Sequence, residues 1–206
     1  ALMSTLGHPN IVKFYGITKA PLRIILELVH QGDLMDLLHP RLPNGERGSS
    51  TSAALTWRVR LLVALDVARG MRYLHELQPP VIHRDLRSPN IFIDSLTPDA
   101  TAVRAKVADF GLSRTSTVGL YEALETWQWA APEVLEGSRY DERSDTYSFG
   151  ICCWELATLQ LPFSEYEDRP AYVDEATGFI VPHLIKPVII YDQLRPTMPT
   201  ASSGAP

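Results

Sequence analysis

Three short polar signatures, set between apolar stretches, leave this chain few ways to fold. They are His83-Arg84-Asp85-Leu86-Arg87-Ser88-Pro89-Asn90, Ala108-Asp109-Phe110-Gly111 and Ala131-Pro132-Glu133, in that order. An Asp-Phe-Gly triplet alone occurs by chance in many chains. The ordered set, with Asp85 and Asn90 five residues apart, does not. The apolar runs between the signatures must therefore build a frame that carries polar loops at fixed places.

Those runs change period along the chain. Leu2, Met3 and Leu6 are spaced like the last turn of an amphipathic helix, closed by Gly7 and broken at Pro9. Residues 11–17 and 22–29 read as strands, with a turn at Lys19-Ala20-Pro21. Gly32 and Asp33 introduce a short helix, Leu34 to Leu38, and the Pro, Gly and Ser of residues 40–54 read as a mobile loop. Thr56 is a good N-cap for a helix reaching about Leu77, with Leu61, Leu65, Ala68 and Met71 as its apolar stripe. Pro79-Pro80 ends it. Short strands follow at Val81-Ile82, at Ile91-Phe92-Ile93 and at Lys106-Val107-Ala108, with an extended hairpin from Ser95 to Ala102 between the last two.

Residues 113–128 are polar and irregular. A helix from about Asp145 to Leu159 is apolar all round, the mark of a core helix, yet it carries the charge of Glu155. Beyond Leu161 prolines break the pattern repeatedly, and residues 201–206 read as a disordered tail. The sum is mainly helical with a few short strands near the beginning. No repeat or second domain is visible.

With 206 residues, 45% hydrophobic and 21% charged, the chain can bury a sizeable core. A net charge of −5 argues against a general nucleic-acid or anionic-membrane binder. Cys152 and Cys153 are adjacent, lack zinc-ligand spacing and read as buried free thiols, which fits a reducing compartment. There is no basic-then-apolar leader, and no window reaches the ~18 uninterrupted apolar residues of a membrane span. A soluble, cytoplasmic protein without a membrane span is expected.

The signatures resemble the catalytic loop, the metal-binding loop and the activation-segment end of a protein kinase. The resemblance covers nearly the whole chain, least well from Arg169 to Gln193. It implies an α+β, protein-kinase-like fold: a mainly helical large lobe plus the last strands of the small lobe. Residues 1–29 would be a remnant of the small lobe and hinge. Residues 30–200 would be the large lobe, incomplete at its C-terminal end.

By position, Asp85 is then the carboxylate beside the attacking hydroxyl, Arg87 the cation that screens the transferring phosphate, and Asn90 and Asp109 the magnesium ligands. Glu27 (carbonyl) and Val29 (amide) would bond the adenine edge of ATP, with Leu26 as gatekeeper. Asp33 matches the ribose position, although an N-cap explains it as well. Phe92 and Leu34 would lie beneath adenine. Met3, Phe14, His83 and Phe110 match the stacked apolar spine. Arg84 would meet the activation segment, and Asp145 would accept backbone hydrogen bonds from the catalytic loop. His83 reads as a packed structural histidine.

Thr126 matches the threonine that contacts the catalytic aspartate in many Ser/Thr kinases, and Trp127-Gln128-Trp129-Ala130-Ala131-Pro132-Glu133 resembles the tyrosine-kinase-like group, whose members mostly phosphorylate Ser or Thr. The match is similar to Roco kinases, the leucine-rich-repeat kinase type, with Glu125 departing from the commoner glycine. Ser113, Thr115, Ser116, Thr117 and Tyr121 lie where activating phosphates are usual; a merely solvated loop is the alternative.

No Gly-x-Gly-x-x-Gly precedes the hinge, no Val-Ala-Ile-Lys strand is present, and the arginine that normally pairs with Glu133 is absent. Two functions stay open. One is an ATP- and Mg²⁺-dependent Ser/Thr kinase acting on protein substrates. The other is a catalytically dead kinase fragment serving as a protein-binding module. Oligomeric state is not legible.

Overall fold

A computed structural model describes residues 2–50, 52–97, 102–109, 127–166, 169, 171–173 and 180–198. Four strands, five α-helices and three short 3-10 helices run along them. Strands β1 (Phe14–Lys19) and β2 (Leu22–Leu26) form one antiparallel hairpin, and β3 (Ile91–Leu96) and β4 (Val103–Val107) form another. The helices are α1 (Leu34–Leu38), α2 (Trp57–His75), α3 (Pro132–Glu136), α4 (Arg143–Thr158) and α5 (Pro182–Tyr191).

Local chemistry sets the helix ends. Asp33 caps α1 by accepting from the Asp36 N–H, and Thr56 caps α2 by accepting from the Val59 N–H. Pro132 and Pro182 occupy the first turns of α3 and α5, where a missing N–H costs nothing. Gly137 closes α3 at φ 77°, a left-handed position that glycine reaches without a steric penalty.

In the main core α2 packs against both β4 and α4. The buried stripe of α2 is Val59, Val63, Val67, Gly70, Met71 and Leu74. Leu61 and Leu65, expected to face inward, are exposed. The helix carries apolar residues on two sides, and the valine line won because it meets β4. Gly70 lets that contact close: a Cβ there would stand 2.7 Å from the Asn10 carbonyl oxygen. Asp66 adds a polar rung, accepting from the Ala105 N–H at 3.0 Å.

Several expected elements differ. The first turn is a 3-10 helix, Leu2–Thr5, and the first strand begins only at Phe14. Ile11 instead makes a parallel bridge to Val107, which ties the hairpin segment to β4. β2 ends at Leu26, and Val81-Ile82 is not a strand. Two helices lay outside the expectation. α5 forms despite Pro187 because Ile185 and Ile189 are buried with Trp127, Phe163 and Tyr166, so packing outweighs the lost backbone bond. Cys152 is buried, but Cys153 only half so. The side chain of Met3, Phe110, the 113–126 positions and the 201–206 tail lie outside the described residues.

Candidate active site

The first turn of α4 organises the loop that follows α2. Asp145 is buried there, and three donors converge on its carboxylate. Oδ2 accepts from the His83 N–H at 2.8 Å and lies 2.8 Å from His75 Nε2, while Oδ1 accepts from the Arg84 N–H at 2.9 Å. The scaffolding role read for Asp145 is the one the geometry gives it. Arg84 sits at φ 72° and Asp109 at φ 61°. Left-handed non-glycine backbone costs on the order of 1–3 kcal/mol and persists only where the surroundings impose it. Both strained residues lie within the polar signatures.

His83 is fully buried, as expected of a packed histidine. Its Nε2 lies 2.9 Å from the Ala108 carbonyl, and its Nδ1 accepts from the Asp85 N–H at 3.3 Å. That pair of partners fits a neutral ring protonated at Nε2. On the other side, the Ala108 N–H donates to the Asn90 carbonyl at 2.9 Å. Ala108 is thus gripped from both flanks, which seats Asp109 against the 83–90 loop.

Within that loop the side chains close on one another. Asp85 Oδ1 accepts from Arg87 Nε at 2.9 Å, and Oδ2 accepts from Asn90 Nδ2 at 2.7 Å. Asn90 Nδ2 also donates to the Asp85 carbonyl at 2.8 Å. Spending the amide nitrogen this way presents Oδ1 of Asn90 as an oxygen ligand. An amide oxygen and a carboxylate are the ligand types that suit magnesium, which takes one or two protein oxygens and completes its shell with water and phosphate. Among the described residues no cluster of three His, Cys, Asp or Glu side chains could hold a metal alone.

The hinge side is built differently. Glu27 exchanges hydrogen bonds with Lys13: its N–H donates to the Lys13 carbonyl at 2.8 Å, and its Oε2 accepts from the Lys13 N–H at 3.0 Å. Lys106 Nζ reaches both carboxylate oxygens of Glu27, at 2.8 and 2.9 Å. Desolvation pushes the Glu27 carboxyl upward, but the bond from Lys106, the Lys13 N–H and the two lysine charges together bring it below its ordinary value. Next along the chain, Gln31 N–H donates to Ile93 O at 3.0 Å and Ile93 N–H to Gly32 O at 2.9 Å. Asp33 is thereby bridged directly to Phe92. Asp33 Oδ1 is engaged as the cap of α1, at 2.8 Å from the Asp36 nitrogen.

Asp85, Arg87 and Asn90 therefore meet in direct contact, Asp109 adjoins them through Ala108, and Asp33 meets Phe92. Glu27 and Val29 occupy the crossing between the hairpin and the helical body. Three participants were missed: Lys106, His75 and Glu155. Two of them, Lys106 and Glu155, had a signal, since each is a charge set between apolar neighbours in a strand or helix.

Comparison with known proteins decides the family. The family model described as protein tyrosine and serine/threonine kinase matches residues 1–181. The chain belongs to the protein kinase family. The kinase chain is 39% identical over 201 residues to the probable serine/threonine-protein kinase qkgA of Dictyostelium discoideum, covering 96% of this chain and 12% of that protein. It is 44% identical over 184 residues to the serine/threonine-protein kinase CTR1 of Arabidopsis thaliana (87% and 20%). It is also 40% identical over 167 residues to the probable serine/threonine-protein kinase roco8 of Dictyostelium discoideum (81% and 9%). The Roco-type resemblance and the α+β kinase-like fold both hold. The kinase chain spans a fifth or less of the length of these relatives. No described helix is long and apolar enough to cross a membrane.

Proposed function

We propose that this chain carries the phosphoryl-transfer centre of an ATP- and Mg²⁺-dependent kinase acting on Ser or Thr of protein substrates in the cytoplasm. The contact set Asp85–Arg87–Asn90, with Asp109 seated beside it through Ala108, carries the reading. Residues 1–29 serve as small-lobe part and hinge, and 30–200 as large lobe. The Glu27 carbonyl and Val29 amide meet the adenine edge, Asp33 the ribose through its uncommitted oxygen, and Phe92 the underside of the ring.

Phosphoryl transfer asks a protein mainly to align two oxygens and to neutralise charge. Asp85, acceptor-only when ionised, takes the proton of the attacking hydroxyl. Arg87 now pairs with Asp85 at 2.9 Å and can swing its planar fork to a phosphate oxygen. Asn90 and Asp109 hold magnesium, which when bound supplies positive charge to the phosphates. Asn90 also keeps Asp85 turned inward through its Nδ2.

The test measures label transfer from Mg-ATP to a Ser/Thr substrate protein, beside direct nucleotide binding. Asp85→Asn should abolish transfer while nucleotide binding persists, and Asp109→Asn should weaken magnesium-dependent binding. Equal transfer by wild type and Asp85→Asn would refute the assignment.

One observation favours a second reading. Every residue of β2 is exposed, whereas effective small-molecule sites bury roughly 70–90% of their ligand. A catalytically dead module that binds proteins would unfold cooperatively yet show neither an ATP-dependent shift in melting nor label transfer.

A further inference from the structure

Glu155 is fully buried near the end of α4, and every charged oxygen it owns is committed. Oε1 accepts from the Ser88 hydroxyl at 2.8 Å and lies 3.3 Å from Nε2 of the buried His39. Oε2 accepts from the Trp129 indole N–H at 2.6 Å. The three partners come from three segments: the C-cap of α1, the turn between Asp85 and Asn90, and the turn leading into α3. Neighbouring Cys152, on the same helix, is a thiol pushed upward first by burial and then by the Glu155 charge.

A carboxylate this deep is costly unless its lone pairs are filled. Helical periodicity explains what it is for. Asp145, Ser148, Cys152 and Glu155 fall on one face of α4. Asp145 holds the backbone at His83 and Arg84, and Ser148 Oγ donates to the Trp129 carbonyl at 2.8 Å. Glu155 alone touches both loops at once. Trp129 offers only a donor, so its bond depends on the acceptor staying in place.

We propose that Glu155 is a positioning residue that couples the Trp127–Ala130 turn to the catalytic loop through one shared carboxylate. The proposal rests on the kinase reading for its catalytic meaning, but the coupling itself is measurable without turnover. Moving Trp129 drags Oε2, and Oε1 then pulls Ser88, two residues from Asn90. The requirement is for hydrogen-bond capacity rather than charge. A glutamine can accept from Trp129 and donate to Ser88, whose hydroxyl rotates to accept, and to an unprotonated His39 nitrogen.

Hydrogen exchange on the full chain tests this, with thermal unfolding and Mg-ATP binding measured alongside. Trp129→Phe, which leaves Oε2 unfilled, should speed exchange of the 84–90 amides about tenfold. Ser88→Ala should do the same at 127–131. Glu155→Leu should loosen both, and Glu155→Gln should restore both close to wild type. Wild-type exchange at 84–90 in Trp129→Phe would overturn the proposal, as would a Glu155→Gln profile matching Glu155→Leu. Loss of cooperative unfolding in Trp129→Phe and Ser88→Ala alike would also overturn it, by making the contact a condition of folding. Absent Mg-ATP binding by wild type would instead count against the kinase reading and leave the exchange result standing.

Discussion

The catalytic loop and the β1–β2 hairpin sit on opposite sides of the hinge and obey different physics. In the loop, Asp85, Arg87 and Asn90 fill one another's polar valences, and the segment is held by the buried Asp145 through two backbone N–H groups and by Glu155 through the Ser88 hydroxyl. In the hairpin, the ladder pairs the two strands with an irregularity between Phe14 and Gly16, Leu22 is 76% exposed, and Ile17 and Ile24 face solvent from both strands. One region draws order from buried polar hubs. The other has only a two-stranded ladder, which is marginal by itself in water. Buried polar anchoring among the described residues is thus concentrated at the 83–90 loop.

The sharpest way to break the contrast is to remove a hub. Asp145→Ala strands two backbone donors, one buried and one half-buried, and the partner of His75, and should cost about 3–5 kcal/mol in urea unfolding. A loss comparable to that of an exposed substitution would show that the loop holds itself. Next in size is Gly70→Ala. Its Cβ would sit 2.7 Å from the Asn10 carbonyl, so α2 must back away from the segment that joins the hairpin to β4. Overpacking of this kind costs about 1–3 kcal/mol, read as a lower melting temperature. Thr56→Ala removes a single cap from α2 and should cost about 1 kcal/mol by the same measurement.

How much of this was legible follows from the range of the forces. Thr56 and the extent of α2 were readable because caps and periodicity act within one turn or a few. Asp145 was readable through its family resemblance, and the observed bonds agree. The buried face of α2 was misread because Leu61 and Leu65 are as apolar as the valines that pack, and only β4 tells them apart. α5 was missed because a proline vetoes a helix locally, whereas Ile185 and Ile189 restore it through distant aromatic partners. Glu155 and Lys106 were visible as misplaced charges. Their partners lie dozens of residues away, beyond any local pattern.

The hinge offers a graded comparison through pH. Glu27 has its folded-state carboxyl lowered, so its contribution is complete above the unfolded carboxylate value. It is lost as pH falls through the lowered folded value. The stability difference between wild type and Glu27→Gln should therefore be constant near neutrality and shrink on acidification. A difference that grows in acid would mean that the Lys106 pair does not hold the hinge.

The smallest expected effect probes the hairpin directly. Ile24 is 60% exposed and faces Ile17 across the ladder, itself 58% exposed. Ile24→Thr keeps the β-branched shape that suits a strand and removes little apolar burial. Unfolding of the isolated chain should then shift by no more than about 0.5 kcal/mol, the scale of an ordinary surface change. A core-sized penalty would mean that this face is covered in solution, because an exposed methyl group has no packing to lose. The same substitution should also lower self-association, since uncovered apolar strand edges are what recruit further chains.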